Sequence, residues 1–250
     1  MNPFNITSKA RAQANTDSNY RNGAEWLEAK FESLVKIYPA KDKSNDQTIM
    51  TRIYKGKLKK NGATVAIKKI FIGRVDRTES VLSILQCVRN IEHPNIMPIY
   101  DSYADYYEKS VFFTMDFGKS LEKEIEQKHR FPSSEINIVV TDILEGLLAA
   151  FQCNLLHLNI KATNIIKVGG VYKVSDWENA ILIDANKIKD YKSLKPFSVY
   201  TLPELRLERT RDFDYKTILP KADAFSIGII LLRLFDFEER YYSGLSEASA

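Results

Sequence analysis

Cysteine is almost missing from this chain: there are 2 in 250 residues, Cys87 and Cys153. Both sit among apolar neighbours and neither has metal-ligand spacing. A disulfide framework is thereby excluded, and reduced packing residues in a reducing compartment are expected. Long apolar runs are missing too; none approaches the ~20 residues needed to span a bilayer. The polar stretch Met1–Ser18 carries no signal-peptide pattern, which leaves the sequon Asn5-Ile6-Thr7 without an expected role and places the protein in the cytoplasm. Charge of one sign is scarce. Thirty-six basic against thirty-two acidic side chains give +4, too small and too scattered a surplus for a nucleic-acid or membrane partner. The lysines of Lys55–Lys60 alternate with Gly and Leu, as in a solvated strand or loop. Internal repeats are also missing.

What is present is an ordinary globular composition, 44% hydrophobic, 11% aromatic and 27% charged. It suffices for one large domain or two packed lobes. Residues 1–19 read as a flexible tail. Residues 20–47 read as a helix and linker, because Ala24, Leu27, Phe31, Leu34, Val35 and Tyr38 fall at helical spacing before Pro39. Over 48–118 the pattern turns to strands. Ile49–Gly56 and Ala63–Phe71 flank an Asn61-Gly62 turn, a helix is expected over Asp76–Asn90, and further strands near Met97–Tyr103 and Val111–Met115. Residues 119–250 read as mainly helical. Pro132 opens a helix with a broad stripe through Ile136, Val139, Val140, Ile143, Leu144, Leu147, Leu148 and Phe151. A second buried helix covers Lys221–Phe235. Between them, short strands at Asn164–Val168 and Tyr172–Val174 flank Gly169-Gly170. The fold class is α+β, a small β-rich lobe followed by a helical one.

Several short motifs follow one another in a telling order. Val65-Ala66-Ile67-Lys68 resembles the protein-kinase strand whose Lys contacts nucleotide phosphates. His93-Pro94-Asn95-Ile96 follows, and Met115-Asp116-Phe117 resembles the gatekeeper and hinge. His157-Leu158-Asn159-Ile160-Lys161-Ala162-Thr163-Asn164 resembles the catalytic loop H-R-D-L-K-x-x-N. Asp176-Trp177-Glu178 stands where D-F-G belongs, Leu202-Pro203-Glu204 resembles A-P-E, and Lys221–Gly228 resembles the central helix with its buried Asp. The resemblance implies a bilobal kinase-like fold. It also implies a stacked column of Val88, Ile99, His157 and Trp177, anchored by Asp223.

Departures from the pattern point to lost catalysis. Counted back from Ile53, the glycines that would cover phosphate fall at Asp46, Thr48 and Thr51, each with a Cβ that obstructs backbone approach. Counted back from Pro94, the helix acid that should orient Lys68 is Ile84, and Glu79 is on another face. The catalytic base is Asn159, and loss of a general base costs ~10²–10⁴ in rate. Glu178 replaces the glycine after Trp177. Lys68, Met115, Lys161, Asn164 and Asp176 remain as the candidate pseudoactive site. They serve either as structural hydrogen-bonding groups or as a weak ATP site, with no other cofactor and no metal expected.

Trp177-Glu178, Ile53-Tyr54-Lys55-Gly56 and Lys221–Ile230 are similar to the mixed-lineage kinase domain-like (MLKL) family of pseudokinases. Too few residues precede the first strand for that family's four-helix killing bundle. Only 22 residues follow Gly228, too few for the last helices of a full lobe or for an Arg partner of Glu204, so the flanks of Lys221–Phe235 are expected to be poorly covered. The resemblance extends to the truncated homologues of some poxviruses. It implies a catalytically inactive decoy that occupies a host kinase, receptor-interacting protein kinase 3, and blocks its engagement with cellular MLKL in necroptosis. Asn179–Tyr200 then corresponds to the activation loop, with Ser193 and Ser198, beside Tyr191 and Tyr200, as candidate phosphoacceptors. Two alternatives stand beside it: a pseudokinase scaffold or allosteric regulator of another kinase, and an atypical, weakly active serine/threonine kinase.

Overall fold

The computed structural model describes residues 20–38, 51–72, 75–128, 130–183, 198–206 and 215–235. The tail 1–19, Pro39, Asp46, Thr48, Tyr191 and Ser193 lie outside the described residues. The chain divides into two compact units, Met1–Asn90 with Pro98–Phe117, and Ile91–Met97 with Gly118–Ala250.

The first unit begins with a short helix, α1 (Gly23–Lys30), capped by the Asn22 side chain, which accepts the Glu25 N–H. Sequence periodicity extended this helix to Tyr38, but the structure ends it at Lys30. Phe31–Tyr38 is strand β1, rich in the aromatic and β-branched residues that suit a pleated surface. Its antiparallel ladder with β2 (Thr51–Leu58) supplies the hydrogen bonds that a continued helix would have made. The hairpin to β3 (Thr64–Phe71) turns at Gly62, whose φ of +69° suits glycine. Helix α2 spans Val75–Arg89, and β4 (Asp101–Asp105) pairs with β5 (Ser110–Asp116). The expected strand from Met97 is shortened, since Pro98 has no N–H to give a ladder. The sheet order is β1-β2-β3-β5-β4.

One face of that sheet is closed by α1. Trp26, a residue outside the expected helical stripe, is fully buried among Phe31, Val65, Ile67 and Phe112, and its ring stacks on Tyr103 at 5.9 Å. Polar contacts fix the helix at both ends. The Gly23 N–H donates to the buried Asp105 carboxylate at 2.8 Å, and Lys30 pairs with Asp101. An eight-residue helix is marginal alone; tertiary packing holds this one.

In the second unit, β6 (Lys119–Ser120) leads to α3 (Leu121–Gln127), capped by Ser120, and to α4 (Ser133–Gln152) with Pro132 at its N-cap. Strands β7 (Leu155–Leu156), β8 (Ile165–Val168) and β9 (Val171–Val174) follow, and β10 (Ile181–Leu182) pairs back on β7. After a short α5 (Pro203–Arg206) comes α6, Tyr215–Leu234. Its start lies before the expected Lys221, with Pro220 inside the helix. Ile227, Ile229, Ile230 and Leu234 of α6 are buried, Phe225, Leu231 and Leu232 are half-buried, and Phe235 is exposed. Apolar exposure is also found on α4. Ile136, Val139 and Ile143 are buried, whereas Ile138, Leu144, Leu148 and Phe151 are exposed, so the stripe seen in the sequence was wider than the packed face. A buried network joins α3, α4 and the β8–β9 hairpin. The Tyr172 hydroxyl donates to Glu124 at 2.7 Å and accepts from Lys167 at 2.9 Å, while Glu135 accepts from Lys128 at 2.6 Å.

Candidate active site

The residues singled out in the first unit gather on one face of the sheet. Lys68 on β3 is registered with Ile53 of β2 and Phe113 of β5, and Ala66 with Met115. Strand alternation puts these residues on the face opposite Trp26. Lys68 is 2% exposed, with its ammonium 5.9 Å from the Phe113 ring centroid. The Lys68 side chain is engaged, with Ile84 at the helix position where an orienting acid was sought. Ile84 itself faces the core, and Met115 is buried. Thr51 starts β2, so the last of the three expected glycine positions lies within a ladder.

In the second unit a bonded chain of backbone and side chains shapes the loop around Asn159. The Asn159 N–H donates to His157 Nδ1 at 3.1 Å, which assigns the imidazole proton to Nε2, and Nε2 donates to the Ser175 carbonyl at 2.8 Å. The His157 ring meets Trp177 edge-on at 4.6 Å. Asn164 Nδ2 donates to the Asn159 carbonyl at 2.9 Å, and Ser175 Oγ donates to the Asn164 carbonyl at 2.8 Å. Asn159, Asn164 and Asp176 are thus linked through Ser175. Asp176 has φ +76° and ψ +45°, left-handed backbone that Asp tolerates better than most residues. Trp177–Asn179 forms one 3-10 turn, which holds Glu178 half-buried. Lys161, half-buried, opens the 3-10 turn Ala162–Asn164.

From below, the Asp223 carboxylate of α6 accepts the N–H groups of His157 at 2.9 Å and Leu158 at 2.7 Å. Leu158 has φ +57°, costly for a branched side chain, so these two bonds fix a strained turn. A shallow cleft of about 20 Å³, little more than room for a water, opens beside it, lined by Leu158, Asn159, Ile160, Thr201, Leu202 and Ala222. The wall formed by 198–202 is held by Ser226 Oγ, which donates to the Tyr200 carbonyl at 2.8 Å. Arg233 donates to the Tyr200 hydroxyl at 2.5 Å and grips Glu122 with two N–H groups at 2.6 and 2.7 Å. Those bonds push its guanidinium pKa further up. Ser198 lies on that wall in an exposed turn, its N–H donating to Thr201 Oγ1 at 3.0 Å. Ser175, Ser226, Arg233 and Glu122 escaped sequence reasoning, and only Ser175, adjacent to Asp176, carried a signal. Among the described residues no three His, Cys, Asp or Glu converge as a metal site, and no helix is long and apolar enough to cross a membrane.

A β-rich unit with a buried strand lysine, and a helical unit whose central helix anchors a strained loop, define a protein-kinase-like fold. The protein kinase domain family matches residues 49–249, and the chain belongs to that family. It is 30% identical over 189 residues to serine/threonine-protein kinase 36 of Pongo abelii, covering 73% of this chain and 14% of that protein. Identity is 28% over 195 residues to serine/threonine-protein kinase TIO of Arabidopsis thaliana, covering 77% and 14%. It is 25% over 193 residues to cell division control protein 7 of Schizosaccharomyces pombe, covering 76% and 17%. The chain therefore spans less than a fifth of the length of these relatives.

These relatives overturn the expectation that the chain is not an enzyme, since family and homologues point to serine/threonine kinases. The physical error lay in reading the missing glycines, Ile84, Asn159 and Glu178 together as loss of the chemistry. Phosphoryl transfer asks little covalent chemistry of the protein and depends mainly on positioning and electrostatics, so replacement of a base lowers a rate without removing the rest.

Proposed function

We propose that this domain binds ATP and transfers its terminal phosphoryl group to a serine or threonine hydroxyl, slowly, in a cytoplasmic setting. The observation that carries this reading is the bonded loop Asn159–Asn164–Ser175–Asp176, with Asp176 held left-handed. An amide at Asn159 can orient a hydroxyl through Oδ1 but cannot keep its proton, which would pass to an oxygen of the transferred phosphoryl group as ADP leaves. Asn164 Oδ1 and the Asp176 carboxylate are hard oxygen donors of the kind a divalent cation takes. Asn164 and Asp176 would hold such a cation, which would supply positive charge to offset the charge of the nucleotide phosphates. Lys68 in the first unit is the residue suited to phosphate oxygens. Thermal shift with ATP and Mg²⁺, paired with a phosphate-transfer assay on the wild-type chain and Lys68→Met, tests the reading. A nucleotide-dependent shift and slow turnover, both lost in the variant, are expected; neither in the wild type sinks it.

A second reading concerns the partner. Trp177-Glu178, in its 3-10 turn, resembles the motif of the MLKL family and favours docking on a host kinase of the receptor-interacting protein kinase 3 type, in competition with cellular MLKL. That binding is compatible with turnover. A pull-down from necroptosis-competent cells that recovers no such kinase removes this second reading and leaves the first intact.

A further inference from the structure

Tyr200, one of the phosphoacceptors read from the sequence, has its hydroxyl against a cation. Arg233 Nη1 donates to it at 2.5 Å. The same guanidinium grips both carboxylate oxygens of Glu122 at 2.6 and 2.7 Å. All three residues lie in the second unit. The pair is largely shielded, with the Arg233 side chain 14% exposed and that of Glu122 23%. A guanidinium presents its N–H groups in a rigid planar fork that fits a carboxylate or a phosphate two bonds at a time. Here Glu122 fills the fork, and the tyrosine oxygen stands at its edge.

Tyr200 sits in a turn, outside helix and strand, with Ser198 exposed and Tyr200 itself half-buried. The turn is tied by the Ser226 bond to the Tyr200 carbonyl and by the Thr201 N–H, which donates to the Ser198 carbonyl at 2.9 Å. A segment with so few backbone bonds opens at small cost and can present its tyrosine to another enzyme. A phosphate on Tyr200 would carry ~−1.5 to −2 charges at pH 7, against the single charge of the Glu122 carboxylate. Both anions claim one fork. The more highly charged group is attracted more strongly and repels the carboxylate left beside it. Helix α3 would not detach, because Leu121 is fully buried and Glu124 accepts from the Tyr172 hydroxyl at 2.7 Å. Only its first turn would loosen.

We propose that Tyr200 is a phosphorylation site with Arg233 as its built-in receptor: modification moves the Arg233 fork from Glu122 to the phosphate, which frees the first turn of α3 and ties the 198–202 turn to α6. The modifying agent is a separate tyrosine-directed kinase using ATP and Mg²⁺. The bond from the γ-phosphorus of ATP to its bridging oxygen breaks and one to Tyr200 Oη forms. The phenolic proton passes to solvent and ADP leaves. This exchange stands whether or not the domain itself turns over.

The full chain is treated with a broadly specific tyrosine kinase, ATP and Mg²⁺, under conditions that fully modify a synthetic peptide of residues 198–204. Peptide mapping by mass spectrometry should find phosphate on Tyr200, and Tyr200→Phe should lose that one site. Phosphorus NMR then follows the phosphate through its second ionisation. Beside Arg233 this should fall about one pH unit below that of the modified peptide, and Arg233→Gln should return it to the peptide value. Amide exchange in the first turn of α3 should quicken roughly tenfold on modification, as expected for loss of a charge-assisted bond. In Glu122→Gln, where the clamp is already broken, modification should add little. Thermal melts confirm that each variant is folded; if Arg233→Gln is not, the wild-type titration against the peptide and the Glu122→Gln comparison decide. A Tyr200 that stays unmodified overturns the inference. So does a phosphate that titrates like the peptide's, or exchange in α3 that modification leaves unchanged.

Discussion

The Asp223 carboxylate takes the backbone N–H of Leu158 at 2.7 Å across 65 residues of sequence. Its other oxygen takes that of His157. One buried acid thereby holds two successive amides and a positive φ that the leucine would not adopt unaided. Asp223→Ala leaves both donors without this acceptor in a buried setting, and loss of charge-assisted bonds of this kind costs ~1.5–3 kcal/mol each. We expect a loss of about 3 kcal/mol or more by chemical denaturation. Asp223→Asn supplies one acceptor oxygen and turns an N–H₂ toward the other amide, so it should recover less than half of that loss.

Trp26 is the keystone of the first unit. Truncation of a fully buried aromatic costs ~3–5 kcal/mol, and Trp26→Ala should approach the upper end because α1 has little stability of its own. Urea melts check the size. Amide exchange should show α1 opening first, and Trp26→Phe should be the milder change.

Gly146→Ala is a test of sign. On an exposed helix the change is favourable by ~1 kcal/mol. Here the new Cβ would stand 2.6 Å from the Asn95 carbonyl oxygen, a backbone atom with little room to retreat. Overpacking of that kind costs ~1–3 kcal/mol, so the expected net effect is destabilising. A raised melting temperature would show that Asn95 moves freely.

Asn159→Asp bears on the proposed chemistry. It restores a group that can accept a proton, and general-base catalysis contributes ~10²–10⁴ in rate. Single-turnover phosphate transfer should rise within that range, while nucleotide affinity read by thermal shift changes little. A variant no faster than the wild type would locate the limit in another step.

Acid sensitivity should centre on Glu135. The hydrogen bond from Lys128, aided by the charges of Lys128 and Lys167, holds its carboxyl below the usual carboxylate range. A group depressed in the folded state contributes stability above its unfolded pKa and loses it as pH falls through the folded value. Stability should therefore decline as the solution is acidified below the normal glutamate range. Glu135→Gln should flatten that decline and be the weaker protein at neutral pH.

How much of this was legible beforehand depended on the kind of signal. Val65–Lys68, the Asn61-Gly62 turn and the helix after Pro132 could be placed from local chemistry, because each is fixed by residues within a few positions. Phe31–Tyr38 was misread for a related reason. Its apolar spacing fits a helix, and only the partner strand β2 decides otherwise. Trp26 gave no hint of its burial, since its pocket is assembled from residues near 31, 65, 103 and 112. In the site, Asn159, Asn164 and Asp176 were visible as motif positions. Arg233, Glu122 and Ser226 were not, as their partners lie 111, 33 and 26 residues away and no short pattern records such pairs. The inference from the missing glycines, Ile84, Asn159 and Glu178 to inactivity failed at another level: it weighed motif positions alone, and the family and the relatives that overturn it cannot be read from those positions.

The seven residues Ile91–Met97 interrupt the first unit and belong to the second. There Ile96 bridges Val174, and the Met97 N–H donates to the Val174 carbonyl at 2.9 Å. Asn95 supplies the wall against Gly146 and donates through Nδ2 to the Tyr172 carbonyl at 3.0 Å. Neither half is therefore a continuous piece of polypeptide. A fragment that starts at Gly118 would bare one edge of the β8–β9 hairpin and one side of α4, and a fragment that stops at Phe117 would carry away the segment that covers them. Proteolysis at that junction, or a gene split there for complementation, should give two insoluble pieces that recover structure only when mixed before folding.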